Sequence, residues 1–109
     1  MDLRMIYITA TTLEEARAIG KELVSGRLAA CVNIIDHVNS IYWWNGEIQD
    51  DQEVVLIAKT RASLVPRLIE KTKSVHSYEC PCIVSLPILD GNQAFLDWIQ
   101  NETANPAKG

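Results

Sequence analysis

Apolar residues in the first quarter of the chain follow a strand pattern and then a helix pattern. The β-branched and aromatic run Met5–Thr9 predicts a strand, and the two threonines after it each stand three residues before a glutamate, as at many helix starts. Apolar residues then recur every three or four positions up to Gly26, which suits a left-handed helix end. These patterns predict a first strand and a helix from about Leu13 to Ser25.

The next two apolar segments predict a long β-hairpin. Residues 30–44 contain no proline or glycine, and β-branched and aromatic residues dominate them, which favours one long strand. The dipeptide Asn45-Gly46 suits a tight turn with positive φ, and a second strand returns over about Ile48–Thr60. Trp43 and Trp44 are neighbours on a strand, so they should point to opposite faces, one packed inward and one outward as an interface anchor.

The second half of the chain predicts another helix and strand, and then a final helix. Ser63 can cap a helix that ends near Ser74, and Pro66 is tolerated in its first turn. Residues 81–87 predict a fourth strand, and apolar residues at 95–99 predict a short last helix. The order β-α-β-β-α-β with an added C-terminal helix predicts an α+β fold, the ferredoxin-like plait, in which two helices cover one face of a four-stranded antiparallel sheet.

The predicted strands are apolar on both faces of the sheet. Alternate residues of a strand point to opposite faces, yet residues 54–58 of the third strand are all apolar. In the second strand, strict alternation predicts two apolar sets, Ile35 with Ile41 on one face and Ile34 with Val38 on the other. Two helices cover only one face, so we expect another subunit to cover the second face, with the C-terminal helix as the alternative cover.

Composition and charge narrow the class of protein. A length of 109 residues predicts a single domain over residues 1–109, with a flexible tail from about residue 102. Fourteen acidic and ten basic side chains give a formal net charge of −4, which disfavours a nucleic-acid partner. We find no apolar run of membrane-spanning length and no secretory signal, so we expect a cytoplasmic protein with no membrane partner, whose three cysteines form no disulfide framework.

The densest group of potential metal ligands lies where the second helix leads into the fourth strand. His76, Glu79, Cys80 and Cys82 bring an imidazole, a carboxylate and two thiols within seven residues. Imidazole and thiolate suit copper and zinc, and two cysteines two positions apart on a strand would share a face. From spacing alone a structural role is the more common outcome, with Glu79 capping a turn and the thiols packed as small apolar groups.

Other polar residues give weaker indications of a site. The hairpin carries four carboxylates, which could hold a hard cation or simply be solvated: Glu47, Asp50, Asp51 and Glu53. His37 is expected to be exposed or at an interface. His76 and Cys80 are the one pair with the elements of a cysteine nucleophile, and no common catalytic motif is present, so we expect a protein that is not an enzyme.

Four motifs, taken in order, resemble the CutA divalent-cation tolerance family. They are LAACVN at 28–33, SIYWWNG at 40–46, Glu53 with Lys59-Thr60, and HSYECP at 76–81. The resemblance extends from Met5 to about Asn101. It implies a cytoplasmic homotrimer of ferredoxin-like subunits, related in architecture to PII signalling proteins and associated with tolerance of copper and other divalent metals.

The resemblance also implies where a metal would bind. The copper ligands described for the family are a cysteine in the first strand and two successive histidines before the fourth strand. The matching positions here are Ile8, Val75 and His76, so one of the three ligands is retained. His76 is therefore the best predicted ligand for Cu(II) or another divalent cation, with the three other side chains of its motif as helpers: Glu79, Cys80 and Cys82.

A second set of shared polar residues resembles the lining of an intersubunit cleft in PII-like trimers. It comprises Lys59, His76, Tyr78 and Glu79, together with Trp44. Two main hypotheses follow: a metal-responsive homotrimer, and a PII-like trimer that senses a small molecule, with Lys59 neutralising an anion. A cysteine hydrolase that uses His76 and Cys80 is a third hypothesis.

Overall fold

A computed structural model describes residues 1–103 of the chain as four strands and three helices. The elements are β1 (Leu3–Ala10), α1 (Leu13–Ser25), β2 (Cys31–Trp44), β3 (Glu47–Arg61), α2 (Val65–Val75), β4 (Ile83–Pro87) and α3 (Gln93–Glu102). The strands form one antiparallel sheet in the order β2-β3-β1-β4. This order, with α1 and α2 as the two connections between strands, is the predicted ferredoxin-like topology.

Helix α1 has the predicted bounds but a different end. Thr12 is the N-cap, and its side-chain oxygen accepts a hydrogen bond from the backbone N–H of Glu15. Gly26 was expected in the left-handed region, yet its φ is −83° and Arg27 takes the positive φ of 60°. The Gly26 N–H still bonds to the carbonyl of Glu22, so the helix ends at Ser25 as predicted and only the left-handed residue lies one position later.

Two element starts differ from the prediction in the second half of the chain. Residues 62–64 form a short 3₁₀ turn, and α2 begins after Leu64, which makes no side-chain capping bond, so the predicted cap by Ser63 is wrong. Strand β4 begins at Ile83 rather than Pro81, because the carbonyl of Thr9, opposite Cys82, bonds to the side chain of His76 in place of a backbone N–H. Residues 76–82 therefore form a loop, called loop 76–82 below.

The main core lies between the sheet and helices α1 and α2. Ile6 and Ile8 of β1, Leu56 of β3, Ile19 of α1 and Leu68 of α2 are all fully buried there. Each such side chain stabilises the fold by about 1.5–3 kcal/mol. The core therefore fixes the positions of β1 and β3, whose ends carry the candidate site.

Helix α3 covers one end of the reverse face, meaning the face of the sheet that points away from α1 and α2. Its Ile99 packs with Leu3 and Ala30, and the guanidinium of Arg61 donates to the carbonyl of Gln100. The rest of the reverse face is only partly covered, since Val55 is 2% exposed whereas Ile35, Val84 and Leu86 are between 46% and 50% exposed. The prediction of a sheet that is apolar on both faces is confirmed, and α3 covers only part of the second face.

A bulge interrupts β2 at residues 36 and 37. Ile35 lies opposite Val55 and Val38 lies opposite Glu53, so β2 advances three residues while β3 advances two. His37 adopts a positive φ of 58° within this bulge. Its backbone N–H donates to the side chain of the preceding aspartate, which stabilises this conformation locally.

The bulge overturns the predicted faces of β2. Side chains of directly opposite residues share a face, so Val38 joins Ile35 on the reverse face. Ile41 lies opposite Asp50 and shares the other face with Ile34. The sequence prediction assumed unbroken alternation, and the extra residue shifts the pattern by one position.

The outer end of the β2–β3 hairpin projects into solvent. Asn45 and Gly46 have φ values of 51° and 79°, as expected for the predicted tight turn. Trp43 is 70% exposed and Trp44 is 45% exposed, so the prediction that one of them packs inward is wrong. Within a single chain, both faces of this hairpin end present aromatic side chains to water.

Helix α3 extends to the position where the tail was predicted to begin. Glu102 is the last residue of α3, and Thr103 is fully buried, with its hydroxyl donating to the carbonyl of Ile99. The remainder of the predicted flexible tail, residues 104–109, lies outside the described residues. No helix in residues 1–103 is long and apolar enough to cross a membrane.

Candidate functional site

Loop 76–82 lies across the end of β1 and the start of α1. The imidazole Nε2 of His76 is 2.7 Å from the backbone oxygen of Thr9, the residue before the end of β1. The backbone N–H of Ser77 donates to the carboxylate of Glu15 in the first turn of α1, at 2.9 Å. The loop is thus held to two elements that the main core fixes in place.

The two ring nitrogens of His76 have different partners. A carbonyl oxygen only accepts hydrogen bonds, so Nε2 must carry the proton that it donates to Thr9. Nδ1 accepts from the backbone N–H of Tyr78 at 3.0 Å, so Nδ1 must be unprotonated. These contacts assign the neutral Nε2–H tautomer, with both nitrogens engaged by the backbone.

Tyr78 joins the loop to the reverse face of the sheet. Its hydroxyl donates to the Oε2 atom of Glu53 at 2.9 Å, and Glu53 is only 6% exposed. Burial, followed by the hydrogen bond and the negative charge of Glu53, raises the pKa of Tyr78. The phenol therefore stays protonated and serves as the donor that compensates a buried carboxylate.

Glu15 is a hydrogen-bond acceptor for two segments of the chain. Its Oε1 accepts from both the N–H and the hydroxyl of Thr11, and its Oε2 accepts from the N–H of Ser77. Burial alone raises the pKa of Glu15, but the hydrogen bonds from Ser77 and Thr11 outweigh it and lower the pKa to about 2. The ionised form of Glu15 therefore ties loop 76–82 to α1.

The two thiols of the loop and the nearby carboxylate are exposed. Cys80 and Cys82 are free cysteines on the surface, and Glu79 precedes them on the same exposed segment. Partial burial raises the pKa of Cys82, a hydrogen bond with Thr9 opposes this, and the charges of Glu53 and Cys80 raise it further. The thiol of Cys82 is thus mostly protonated at neutral pH and would have to lose a proton on binding a metal.

The four predicted metal ligands do not form a coordination sphere within one subunit. In the described part of the chain, residues 1–103, no group of three or more His, Cys, Asp or Glu side chains is arranged to hold a metal ion. His76 is turned toward the backbone of β1, whereas the thiols belong to the exposed end of the loop. Although these four residues lie close together in the sequence, their side chains do not point toward a common position.

The predicted cleft residues are also separated along the reverse face. Lys59 lies near one end of β3 and its ammonium donates to the side chain of Asn33. Tyr78 reaches Glu53, six residues along β3, and Trp44 lies opposite Glu47, six residues further. At about 3.3 Å per residue, each interval is roughly 20 Å. One subunit therefore does not bring Lys59, Tyr78 and Trp44 together.

The acidic residues of the hairpin are likewise dispersed. The hydroxyl of Tyr42 donates to Asp51 at 2.7 Å, which is the first cause of the raised pKa of Tyr42. The amide of Asn39 donates to Asp50 at 2.7 Å on the opposite face. Since Glu53 is buried beside Tyr78, the four carboxylates do not converge on one point.

Sequence reasoning missed two parts of this site. Glu15 was interpreted only as a residue of the helix start, although it also binds the backbone of Ser77. Its position three residues after the N-cap was the available signal, since such a carboxylate is free to reach back toward a neighbouring segment. The backbone oxygen of Thr9 left no signal, because every residue carries one.

Comparisons with known proteins agree with the sequence motifs and the fold. The sequence model of the family described as CutA1 divalent ion tolerance protein matches residues 4–102. The divalent-cation tolerance protein CutA of Thermus thermophilus is 48% identical over 99 residues, which cover 91% of this chain and 96% of that protein. The chloroplastic CutA 1 protein of Oryza sativa is 41% identical over 91% of this chain and 56% of its own length.

Solved structures give the same result. The T. thermophilus CutA1 structure superposes with a TM-score of 0.91 at 46% identity, covering 94% of this chain and 99% of that one. The structure of a protein described as the periplasmic CutA of Archaeoglobus fulgidus has a TM-score of 0.90 at 44% identity, over 93% and 98% of the two chains. The family name describes tolerance of divalent cations and no catalytic activity. With its motifs, its fold and these matches in agreement, the chain belongs to the CutA divalent-cation tolerance family.

Proposed function

We propose that this protein binds copper or another divalent cation at loop 76–82 and acts in the cytoplasmic response to metal ions. The observation that carries the proposal is the exposed end of the loop, where Glu79, Cys80 and Cys82 present a carboxylate and two thiols. Thiolates are ligands for copper and zinc, and they would supply charge and covalency to the bound ion. Membership of a family named for divalent-cation tolerance supports the same conclusion.

We further propose that the functional form is a homotrimer with PII-like architecture. The reverse face retains exposed apolar side chains, and the outer edges of β2 and β4, the two edge strands of the sheet, have no strand partner within residues 1–103. The hairpin end adds Trp43 and Trp44. Since one subunit does not assemble a coordination sphere, a neighbouring subunit is the natural source of additional donors. The number three follows from the family resemblance.

Metal titration with matched cysteine variants tests the metal role. We expect the Cys80→Ser/Cys82→Ser double variant to bind Cu(II) and Zn(II) at least tenfold more weakly than the wild type, because both thiol donors are lost. Cys31→Ser is the matched control, since Cys31 lies on β2 opposite Lys59 and away from the loop. Affinities from competition with a chromophoric chelator decide the question. Absence of binding by the wild type at micromolar ion, or equal affinity of all variants, would contradict the proposal.

Light scattering tests the assembly. A homotrimer of a 12.2 kDa chain is expected to show three times that mass at micromolar concentration. A stable species of 12.2 kDa would contradict the trimer and every site that needs a neighbour. This measurement is independent of the metal titration, so the two proposals fail separately.

One observation favours a second function, a PII-like sensor of a small anion. Lys59 lies on the reverse face, and its ammonium bonds only to the neutral amide of Asn33 in the contacts described. ATP and citrate are suitable probes, followed by tryptophan fluorescence. A sensor would lose its response in Lys59→Ala and keep it in Lys73→Ala, whose lysine is on the exposed side of α2. No fluorescence change in the wild type with either probe would count against this function.

A further inference from the structure

The sequence makes His76 the best predicted metal ligand, yet its ring already has two contacts to the backbone. We infer that His76 is a positioning residue that holds loop 76–82 against β1, and that the ion is bound without its imidazole. The part of this inference that concerns the ion rests on the function proposed above. The part that concerns the loop rests on hydrogen bonds within one chain.

The imidazole completes the pairing of β1 with the segment before β4. Regular pairing of the two strands ends at Ile8 and Ile83. At the next position the N–H of Thr9 donates to the carbonyl of Cys82 at 3.3 Å, while the carbonyl of Thr9 accepts from Nε2 of His76 at 2.7 Å. A hydrogen-bonded antiparallel pair exchanges two such bonds, so the imidazole supplies the donor that a backbone N–H provides elsewhere in the sheet.

The second nitrogen sets the direction of the chain toward the thiols. Nδ1 of His76 accepts from the backbone N–H of Tyr78, and the two rings lie with centroids 5.0 Å apart. From this position the hydroxyl of Tyr78 reaches the buried carboxylate of Glu53. His76 therefore orients the residue that stands two positions before Cys80.

Metal ligation by His76 would break one of these contacts. Thr9 is only 7% exposed, so loss of the Nε2 proton would leave its carbonyl buried without this donor. Ligation through Nδ1 would instead displace the N–H of Tyr78. An unsatisfied buried polar group lowers affinity by roughly tenfold or more. Glu79 and the thiol of Cys80 are exposed and involve no such loss.

Nuclear magnetic resonance of the imidazole nitrogens tests the inference directly. The chain has two histidines, so His37→Gln leaves His76 as the single source of imidazole signals. Long-range ¹H–¹⁵N correlation at neutral pH is expected to show the Nε2–H tautomer, and addition of diamagnetic Zn(II) is expected to leave both nitrogen shifts unchanged. An Nδ1–H tautomer, or a metal-induced shift of either nitrogen, would overturn the inference.

Two substitutions separate positioning from ligation. The amide of His76→Gln can donate toward Thr9 much as Nε2 does, but an amide is a poor ligand for copper or zinc. We expect His76→Gln to keep the Zn(II) affinity within about threefold, whereas His76→Ala releases the loop, weakens binding about tenfold and speeds exchange of the Tyr78 amide hydrogen. Equal loss of affinity in both variants, with unchanged amide exchange, would identify His76 as a ligand.

These readouts distinguish failure of this inference from failure of the proposed function. If the wild type binds neither Zn(II) nor Cu(II), the metal function is wrong. The tautomer and the exchange rate of the Tyr78 amide in the metal-free protein then decide whether His76 positions the loop. If the ion binds and shifts a nitrogen of His76, the metal function stands and the positioning role falls.

Discussion

Loop 76–82 and the outer end of the β2–β3 hairpin each contain a tyrosine hydroxyl that donates to a carboxylate, but the two pairs lie in opposite environments. In the loop, Tyr78 reaches Glu53, which is 6% exposed. In the hairpin, Tyr42 reaches Asp51, which lies on the exposed surface. The same bond therefore stabilises a buried charge in one region and competes with water in the other.

The two regions also differ in how many of their side chains find a partner within the same chain. The polar groups of the loop find partners on β1, α1 and β3 of the same chain. The hairpin end, by contrast, leaves Trp43 70% exposed and Ile41 67% exposed. Substitutions in the loop should therefore change the free energy of unfolding of the chain. Substitutions at the hairpin end should instead change the association of one chain with another.

The largest effect is expected at the hairpin. In the proposed trimer, Trp43→Ala should weaken subunit association by about 2–4 kcal/mol, because an exposed aromatic side chain that becomes buried at an interface is a typical hot spot. The unfolding free energy of the isolated subunit should change little, since the side chain is 70% exposed in one chain. Sedimentation equilibrium at several concentrations measures this effect.

Asn45→Asp, which changes the turn beside Trp43 without removing apolar area, is the control for this substitution. Unchanged association of Trp43→Ala would mean that the hairpin end is solvated in the assembled protein as well. In that case the loop and the hairpin end would differ only in how deeply their tyrosine–carboxylate pairs are buried.

The next largest effect is expected on the free energy of unfolding, when the two tyrosine–carboxylate pairs are broken. Tyr78→Phe should lower the free energy of unfolding by about 2 kcal/mol at neutral pH, because it leaves the carboxylate of Glu53 buried without its donor. Tyr42→Phe is the matched variant and should cost less than about 0.5 kcal/mol, because Asp51 can bind water instead. Urea unfolding of both variants makes the comparison, and equal losses would contradict the assigned environments.

The smallest effect concerns the contact between the loop and α1. Glu15→Gln should cost about 1 kcal/mol at pH 7, a value reduced by the partial exposure of the side chain. Glu15 has a lowered pKa, so its contribution is fully present above the unfolded value of 4.5 and is lost as the pH falls through about 2. The stability difference between variant and wild type should therefore shrink in acid.

Urea unfolding at pH 7, 4 and 2.5 follows this difference. Glu14→Gln serves as the control, because its exposed side chain lies in the same turn of α1 and outside the contact with Ser77. A difference that stays constant between pH 7 and pH 2.5 would show that the ionised carboxylate does not hold the loop.

The secondary structure was largely predictable because local rules decide it. The bounds Leu13–Ser25 of α1 followed from a threonine cap and a clear helical period, and the turn at Asn45-Gly46 followed from the need for positive φ. The bulge at His37 was not predictable from alternation, since one extra residue leaves no mark in a run of apolar and polar side chains.

The candidate site was predictable only in part. The motif at 76–82 was found by its residue types, but types alone do not say where a side chain points. The bond from His76 to Thr9 joins residues 67 positions apart, and its acceptor is a backbone oxygen that no sequence pattern distinguishes. The separation of Lys59 from Trp44 likewise depends on strand register, which becomes known only when β2 and β3 are paired.

The additional residue in β2 has a consequence for the direction of the hairpin. A chain shortened by one residue at 36–37 could pair with β3 without interruption, with Val38 still opposite Glu53 and every later side chain on its present face. It would lose the local bend that such an irregularity introduces. The angle at which the hairpin leaves the sheet therefore depends on a count of residues, and a single-codon deletion at 36–37 would redirect the hairpin while leaving the side chains beyond residue 37 unchanged.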